Sequence, residues 1–361
     1  MELISRDTPF TVVVGGGGVG KTTLAAALGV AAARAGEDAL VVTFDPSHRL
    51  KDALGVGEGA AGGEAAVPLA APGRLDASLL DARQTFDRLV ERYAPDDESR
   101  ERILGNRFYR HLAGSLGGIL EYMAVERLYE VAAEGHYAQV VLDTPPTRQA
   151  LDFLEAPARI VAFLDSGVLQ VAQRRWFDEE GRLRGAARFG PLGRQAERFL
   201  DEVVGLDLLR DMSEFFQAFA PLYEGFRERA AAVQALLRSP RTHFLLVAGP
   251  GEERIPDTLF FARRLEKEGY RLGAIVVNRL HPWQGEAPAA LPAGAETDGR
   301  QLLLWLGDRD RRGLAELGQL LPRERPFVAL PLLPDEPTDL ESLGAVADLL
   351  GRLLAAPRRD P

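Results

Sequence analysis

The segment that most constrains this chain is a glycine-rich loop, Gly15 to Thr23, with the sequence GGGGVGKTT. An apolar stretch, Thr11 to Val14, precedes it, and an alanine- and leucine-rich stretch begins at Leu24. Strand, Gly-x4-Gly-Lys-Thr and helix in this order form a P-loop, whose glycines let backbone N–H groups converge on an anion. The sequence therefore predicts a nucleoside triphosphate site. The strand and helix on either side argue against a merely flexible glycine loop.

Short apolar runs rich in β-branched residues alternate with helical patterns along the chain. This alternation predicts an α/β fold, a doubly wound and mostly parallel sheet with an inserted helical subdomain. Ligands of such sheets bind beyond the carboxyl ends of the strands, where the P-loop also lies. The predicted strands are Thr11 to Val14, Ala39 to Phe44, Gln139 to Leu142, Phe244 to Ala248, Ala274 to Val277 and Phe327 to Leu330.

Polar residues at the P-loop and at three other strand ends are the candidate site residues. Lys21 would reach the β and γ phosphates, and the Thr22 hydroxyl would complete a Mg²⁺ shell. Asp45 could orient the water that attacks the γ phosphate, although an Asp-Pro turn that ends a strand is the alternative. Asp143 closes an apolar strand as a Walker B carboxylate does, and would hold Mg²⁺ directly or through water. Asn278 could read the adenine edge or could simply form a turn.

Composition excludes several classes of function. The chain has 361 residues, of which 46% are hydrophobic, and no cysteine. An apolar run of about 18 residues is lacking, so stable membrane insertion is not expected. No signal peptide opens the sequence, which favours the cytoplasm. The net charge of −10 argues against a nonspecific grip on nucleic acid or anionic lipid. Without cysteine there are no thiolate metal sites, and the five histidines lack ligand spacing.

The motifs together resemble those of the anion-transporting ATPase family, which contains the arsenite-pump ATPase and the targeting ATPase for tail-anchored membrane proteins. This family belongs to the deviant Walker A class of P-loop proteins. Asp45 to Asp52 resembles its switch I, and Asp143 to Leu154 resembles its switch II. Val277 to Leu280 and Ala329 to Pro334 resemble its adenine-side segments.

The resemblance implies an ATPase that uses ATP and Mg²⁺, works as a dimer and acts on a protein client. Asp45 would be the catalytic carboxylate beside Lys21, Asp143 would link switch II to magnesium, and Asn278 and Pro331 would contact the base. The phosphate contacts implied are the backbone amides of Gly17, Gly18, Val19, Gly20, Lys21, Thr22 and Thr23. Client affinity would follow the nucleotide state as the dimer closes on ATP and opens after hydrolysis.

Two departures from the family pattern matter. Family members usually carry a second lysine early in the loop that reaches the partner's phosphates, and here that place is Gly16. Either Arg49 or Arg148 would have to supply the charge, or the chain would be a slow ATPase. The alternative is a weakly hydrolysing regulatory subunit that needs a lysine-bearing paralogue, so that both a homodimer and a heterodimer remain open. The absent cysteines argue against arsenite chemistry and a zinc-bridged dimer.

Helical sequence is expected within a single ATPase domain, residues 1–361, as insertions of roughly 75–135 and 158–240. One stretch between Leu206 and Leu237 has an apolar face that could be a client groove or, the interpretation we favour, subdomain core. That face comprises Leu208, Leu209, Met212, Phe215, Phe216, Phe219, Leu222, Tyr223 and Phe226. A partitioning ATPase on nucleic acid is disfavoured by the acidic charge and these insertions.

Overall fold

The computed structural model describes residues 6–43, 49–56, 63–109, 117–144, 154–159, 161–162, 165, 206–285, 299–321 and 326–355. These residues divide into two compact units. The first comprises residues 1–80, 130–151 and 235–361, and the second comprises 81–129 and 152–234.

An eight-stranded sheet forms the centre of the first unit, in the order β3-β4-β2-β5-β1-β6-β7-β8. All neighbouring strands are parallel except β3 and β4, which are antiparallel at one edge. The strands are β1 Phe10–Gly15, β2 Ala39–Thr43, β3 Glu64–Ala66, β4 Leu75–Leu79, β5 Gln139–Asp143, β6 Thr242–Ala248, β7 Leu272–Leu280 and β8 Phe327–Pro331. The predicted mostly parallel α/β sheet is thus confirmed.

The central strands are buried because helices cover the sheet. All six residues of β1 and all seven of β6 are buried, which explains their mostly apolar sequences. The helices of the first unit are α1 Lys21–Arg34, α2 Arg49–Leu54, α8 Ile255–Lys267, α9 Gly299–Leu320 and α10 Leu340–Ala355. Helix α1 packs its alanine-rich surface against β2, β5 and α10, so the P-loop begins at a firmly held element.

The second unit is helical where the structure describes it. It contains α3 Ala82–Tyr93, α4 Asp97–Gly105, α6 Leu206–Phe219 and most of α5 Gly117–Glu134 and α7 Tyr223–Arg238. Its aromatic core stacks Phe86 on Tyr109 and Phe219, while Phe226 meets Phe219 edge-on. Phe215, Phe219 and Phe226 are buried there, so this part of the apolar face is core.

Two strands, β3 and β4, lie outside the strands predicted from sequence. Leu75–Leu79 joins the sheet beside β2, although the sequence pattern assigned residues from about 75 onward to a helical insertion. Its polar residue Asp76 conceals the strand pattern, yet it is buried because the Tyr137 hydroxyl donates to it at 2.6 Å and Arg74 pairs with it at 3.2 Å. The helical unit therefore starts at Asp81.

None of the helices in the described ranges is long and apolar enough to cross a lipid bilayer.

Candidate functional site

The P-loop joins β1 to α1 at the carboxyl edge of the sheet. Gly18 and Gly20 adopt left-handed conformations, with φ of 72° and 92°. The backbone angle at Gly20 favours glycine, and a Cβ there would lie 2.4 Å from Asn278 Nδ2, so the amide would have to shift. Lys21 is buried, and its Nζ donates to the Gly16 carbonyl at 2.8 Å across the loop. The loop is thereby closed around its lysine.

A hydroxyl–carboxylate cluster lies at the start of α1. The Thr22 hydroxyl donates to Asp143 Oδ2 at 2.7 Å, and the Thr43 hydroxyl donates to the same oxygen at 2.9 Å. Asp143 and Thr43 are buried, whereas Thr22 is partly exposed. The carboxyl ends of β2 and β5 and the first turn of α1 thus meet at one carboxylate oxygen.

The Thr22 and Asp143 oxygens are of the type that Mg²⁺ prefers. Magnesium in phosphate-transfer sites keeps several waters and takes only one or two protein ligands. A hydroxyl and a carboxylate that already lie at hydrogen-bond distance therefore fit this ion. Clusters of three or more histidine, aspartate or glutamate side chains that could hold a metal are not found within the described ranges.

Asn278 and Arg279, at the end of β7, contact the P-loop. Asn278 Nδ2 donates to the Val19 carbonyl at 2.9 Å, and Arg279 Nη1 donates to the Gly18 carbonyl at 3.0 Å. Arg279 has a φ of 67°, which is uncommon for a residue with a side chain. The guanidinium also approaches Glu336 at 3.4 Å.

A cavity of about 190 Å³ lies beside these residues. Its lining includes Thr23 and Leu24 of α1, Asn278 and Arg279 of β7, Pro331 at the end of β8, and Glu336. Mostly apolar walls with a few polar groups suit a flat heteroaromatic base. Asn278 and Pro331, which lie on different strands, are brought together here.

Several predicted residues lie outside the described part of the chain. Asp45, Arg148 and the switch II residues 145–150 are among them. Arg49 begins α2, but its side chain is outside the description. Their roles stay predictions.

Sequence reasoning missed Thr43, Arg279 and Glu336 at this site. Thr43 is the last residue of β2, so its position at a strand end beside Asp143 was a usable signal. Arg279 follows Asn278 directly, but its contact with the P-loop depends on an irregularity in β7. Glu336 carried no local signal, because only tertiary folding brings it to the cavity.

Comparisons with known proteins identify the family of this chain. The family model described as anion-transporting ATPase matches residues 8–291. The chain is 26% identical over 338 residues to an ATPase GET3 of Malassezia globosa, covering 93% of this chain and 88% of the relative. It is 29% identical over 311 residues to an uncharacterized protein of Streptomyces coelicolor, covering 85% of this chain and 71% of that one.

A putative arsenical pump-driving ATPase of Aquifex aeolicus is 25% identical over 274 residues, which cover 74% of this chain and 62% of the relative. The family match extends over most of the chain and includes the P-loop, β5 and the end of β7. The chain belongs to the anion-transporting ATPase family and is an ATPase.

Proposed function

We propose that this chain hydrolyses ATP with Mg²⁺ and uses the resulting conformational cycle to act on a protein client, as a dimer in the cytoplasm. The observation that carries the proposal is the pair formed by the Thr22 hydroxyl and the Asp143 carboxylate, 2.7 Å apart at the mouth of the P-loop. Names of relatives that include GET3 and a pump-driving ATPase support an ATPase that works with another protein.

Each residue would have a separate task. The loop amides and Lys21 bind the phosphates of ATP, and Lys21 exchanges its bond with the Gly16 carbonyl for one with a phosphate oxygen. Thr22 and Asp143 would hold Mg²⁺, which neutralises charge on the β and γ phosphates when bound. Thr43 keeps Asp143 oriented from the protein side. Asn278 and Pro331 would flank the base, and Asp45 would orient the attacking water.

The proposal is tested by ATP turnover of the purified chain with Mg²⁺ and with excess chelator. We expect turnover only with the metal, and a loss on the order of 100-fold or more in Lys21→Ala, because that residue meets the transferred phosphate. Lys267→Ala, an exposed lysine at the end of α8, is the matched control and should turn over normally. Metal-independent turnover would refute the magnesium assignment.

The client is tested by retention of proteins from the chain's own cells on the immobilised chain. A client of the nucleotide cycle should be retained with one of ADP and a non-hydrolysable ATP analogue and released with the other. Equal retention in both states would contradict a nucleotide-driven action.

A second candidate is a weakly hydrolysing regulatory subunit that pairs with a lysine-bearing paralogue. Gly16, in the place of the family's second lysine, favours it. Among the described residues other than its chain neighbours, a Cβ built on Gly16 would meet Val19 Cγ1 at an ordinary 3.7 Å, so the Gly16 variants below should leave the loop intact. If the missing charge limits turnover, Gly16→Lys should raise it by about tenfold or more, and Gly16→Gln should not. Brisk turnover by the native chain alone would reject the subunit role.

A further inference from the structure

Strand β7 carries an irregularity where it meets the P-loop. Val277 pairs with Ala329 and Leu280 pairs with Pro331, so three steps along β7 match two along β8. A bulge of this kind inserts one extra residue and redirects side chains. The left-handed backbone of Arg279 lies inside it.

The bulge lets two successive side chains reach the same loop. In a regular strand, neighbouring side chains point to opposite faces of the sheet. Here Asn278 donates to the Val19 carbonyl at 2.9 Å and Arg279 donates to the Gly18 carbonyl at 3.0 Å. Two adjacent peptide groups of the P-loop are thus held from one side by adjacent residues of β7.

Holding these carbonyls also orients the N–H groups of the loop. In a planar trans peptide, the carbonyl of one residue and the N–H of the next point in opposite directions. Fixing the Gly18 and Val19 carbonyls toward β7 therefore turns the N–H groups of Val19 and Gly20 away from β7. Backbone N–H groups aligned in this way form an anion-binding concavity.

The other carbonyl contacts of the loop differ in kind. The Gly20 carbonyl accepts from the Leu24 N–H at 3.0 Å as part of helix α1. The Gly16 carbonyl accepts from Lys21, a bond that Lys21 would exchange for phosphate. Asn278 and Arg279 can keep their bonds with the loop when phosphate binds, since they approach it from outside.

We propose that the Asn278–Arg279 bulge is a carbonyl clamp that pre-organises the P-loop amides for phosphate, with Arg279 as a positioning residue. The clamp rests on the proposed function, since it serves the same nucleotide site. It assigns Asn278 a second task besides the base contact, because an amide has two N–H donors and one is directed to Val19. Preformed donors strengthen phosphate binding because the loop need not be ordered by the ligand.

The test compares binding of ADP, inorganic pyrophosphate and adenosine to the full chain and to Arg279→Gly. Glycine adopts the left-handed conformation without strain, so this variant removes the guanidinium and keeps the bulge. We expect ADP and pyrophosphate to bind about tenfold more weakly, as for the loss of one charge-assisted hydrogen bond. Adenosine should lose much less affinity than ADP, because the loop amides contact phosphate only, while Arg279 is just one part of the cavity wall.

Control variants separate the clamp from other effects. Arg279→Lys keeps a cationic donor and should restore part of the ADP affinity. Arg263→Ala removes an exposed guanidinium of α8 that lies outside the cavity lining, and this variant should bind ADP normally. Asparagine also tolerates the left-handed conformation, so Arg279→Asn replaces the glycine variant in the binding test if thermal unfolding shows that the glycine variant does not fold.

The outcomes are distinct. Equal loss of ADP and adenosine affinity, or no loss of either, would overturn the clamp. Failure of the native chain to bind ADP would overturn the proposed function itself, whatever the variants do.

Discussion

At the scale of single residues, Asp143 connects three elements through one oxygen atom. Thr22 and Thr43 both donate to its Oδ2, from the first turn of α1 and from the end of β2. The two threonines make the same kind of bond, but only Thr22 is on the partly exposed side. They are therefore a matched pair for separating chemistry from stability.

We expect Thr22→Val to lower ATP turnover on the order of 100-fold, because it removes a proposed metal ligand while keeping the side-chain volume. Thr43→Val should lower turnover less than about tenfold, but should cost about 2 kcal/mol of unfolding free energy, since it leaves a buried carboxylate with one donor fewer. Steady-state turnover and urea denaturation measure the two effects. Equal turnover in both variants would contradict the assignment of Thr22 to the metal.

His243 gives the first unit a predicted pH dependence. It is buried at the start of β6 beside the Thr11 hydroxyl, 3.1 Å away. Burial, with a smaller contribution from the charge of Arg271, lowers the pKa of His243 from 6.5 to about 4. Between about pH 6.5 and pH 4, His243 is therefore protonated in the unfolded state but neutral in the folded state. The unfolding free energy has its full value above about pH 6.5 and decreases as the pH falls toward 4.

We expect about 2 kcal/mol of unfolding free energy to be lost between pH 7 and pH 5 because of His243. The measurement is urea denaturation at both pH values for the native chain and for His243→Gln, which cannot take up the proton. Between pH 7 and pH 5, the unfolding free energy of His243→Gln should fall by about 2 kcal/mol less than that of the native chain. Parallel losses in the two proteins would show that other groups cause the acid sensitivity.

At the scale of elements, α5 and α7 are joined by a buried ion pair. Arg229 donates to Glu126 Oε1, with Nε at 2.6 Å, and Tyr122 donates to Glu126 Oε2 at 2.9 Å. Glu126 is fully buried, and the guanidinium lies over the rings of Tyr93 and Tyr129. A buried carboxylate needs its cation, so removing one partner of this pair should be costly.

Arg229→Met should destabilise the helical unit by about 3 kcal/mol, because it leaves the Glu126 carboxylate buried without its cation. Adding Glu126→Gln to that variant should recover part of the loss, since the charge is then removed as well. Thermal and urea unfolding of the single and double variants measure this coupling. Simple additivity of the two changes would argue against the pair as the joining interaction.

The apolar face of α6 and α7 shows what sequence periodicity can and cannot predict. Its apolar spacing predicted a face on these helices but left groove and core open, because both uses need the same pattern. Phe215, Phe219 and Phe226 are buried among aromatic rings of the same unit, which makes that part core. We expect Phe219→Ala to cost about 3 to 5 kcal/mol of unfolding free energy.

At the scale of the whole molecule, the dimer is the main expectation. If two chains complete each site, specific ATPase activity should rise with protein concentration and then level off as the dimer forms. Turnover measured over a wide concentration range, together with sedimentation, tests this. Constant specific activity from a monomer would reject the dimer for this chain alone.

Local sequence signals were enough to predict the class of fold and the kind of ligand. A P-loop flanked by strand and helix is a local signal, because its glycines, lysine and threonine lie within a few residues of one another in the sequence. Asp143 was likewise identifiable at a strand end, and the mostly apolar runs at β1 and β6 indicated buried parallel strands.

The contacts that support the P-loop, in contrast, could not be predicted from local sequence signals. The contacts of Asn278 and Arg279 with the P-loop cross more than 250 positions of sequence, at separations of 259 and 261 residues. These contacts depend on a bulge in β7 that no local sequence pattern predicts, and on the parallel pairing of β7 with β8. Sequence motifs identify the groups that bind the ligand. The backbone geometry that orients those groups depends on pairing between distant strands.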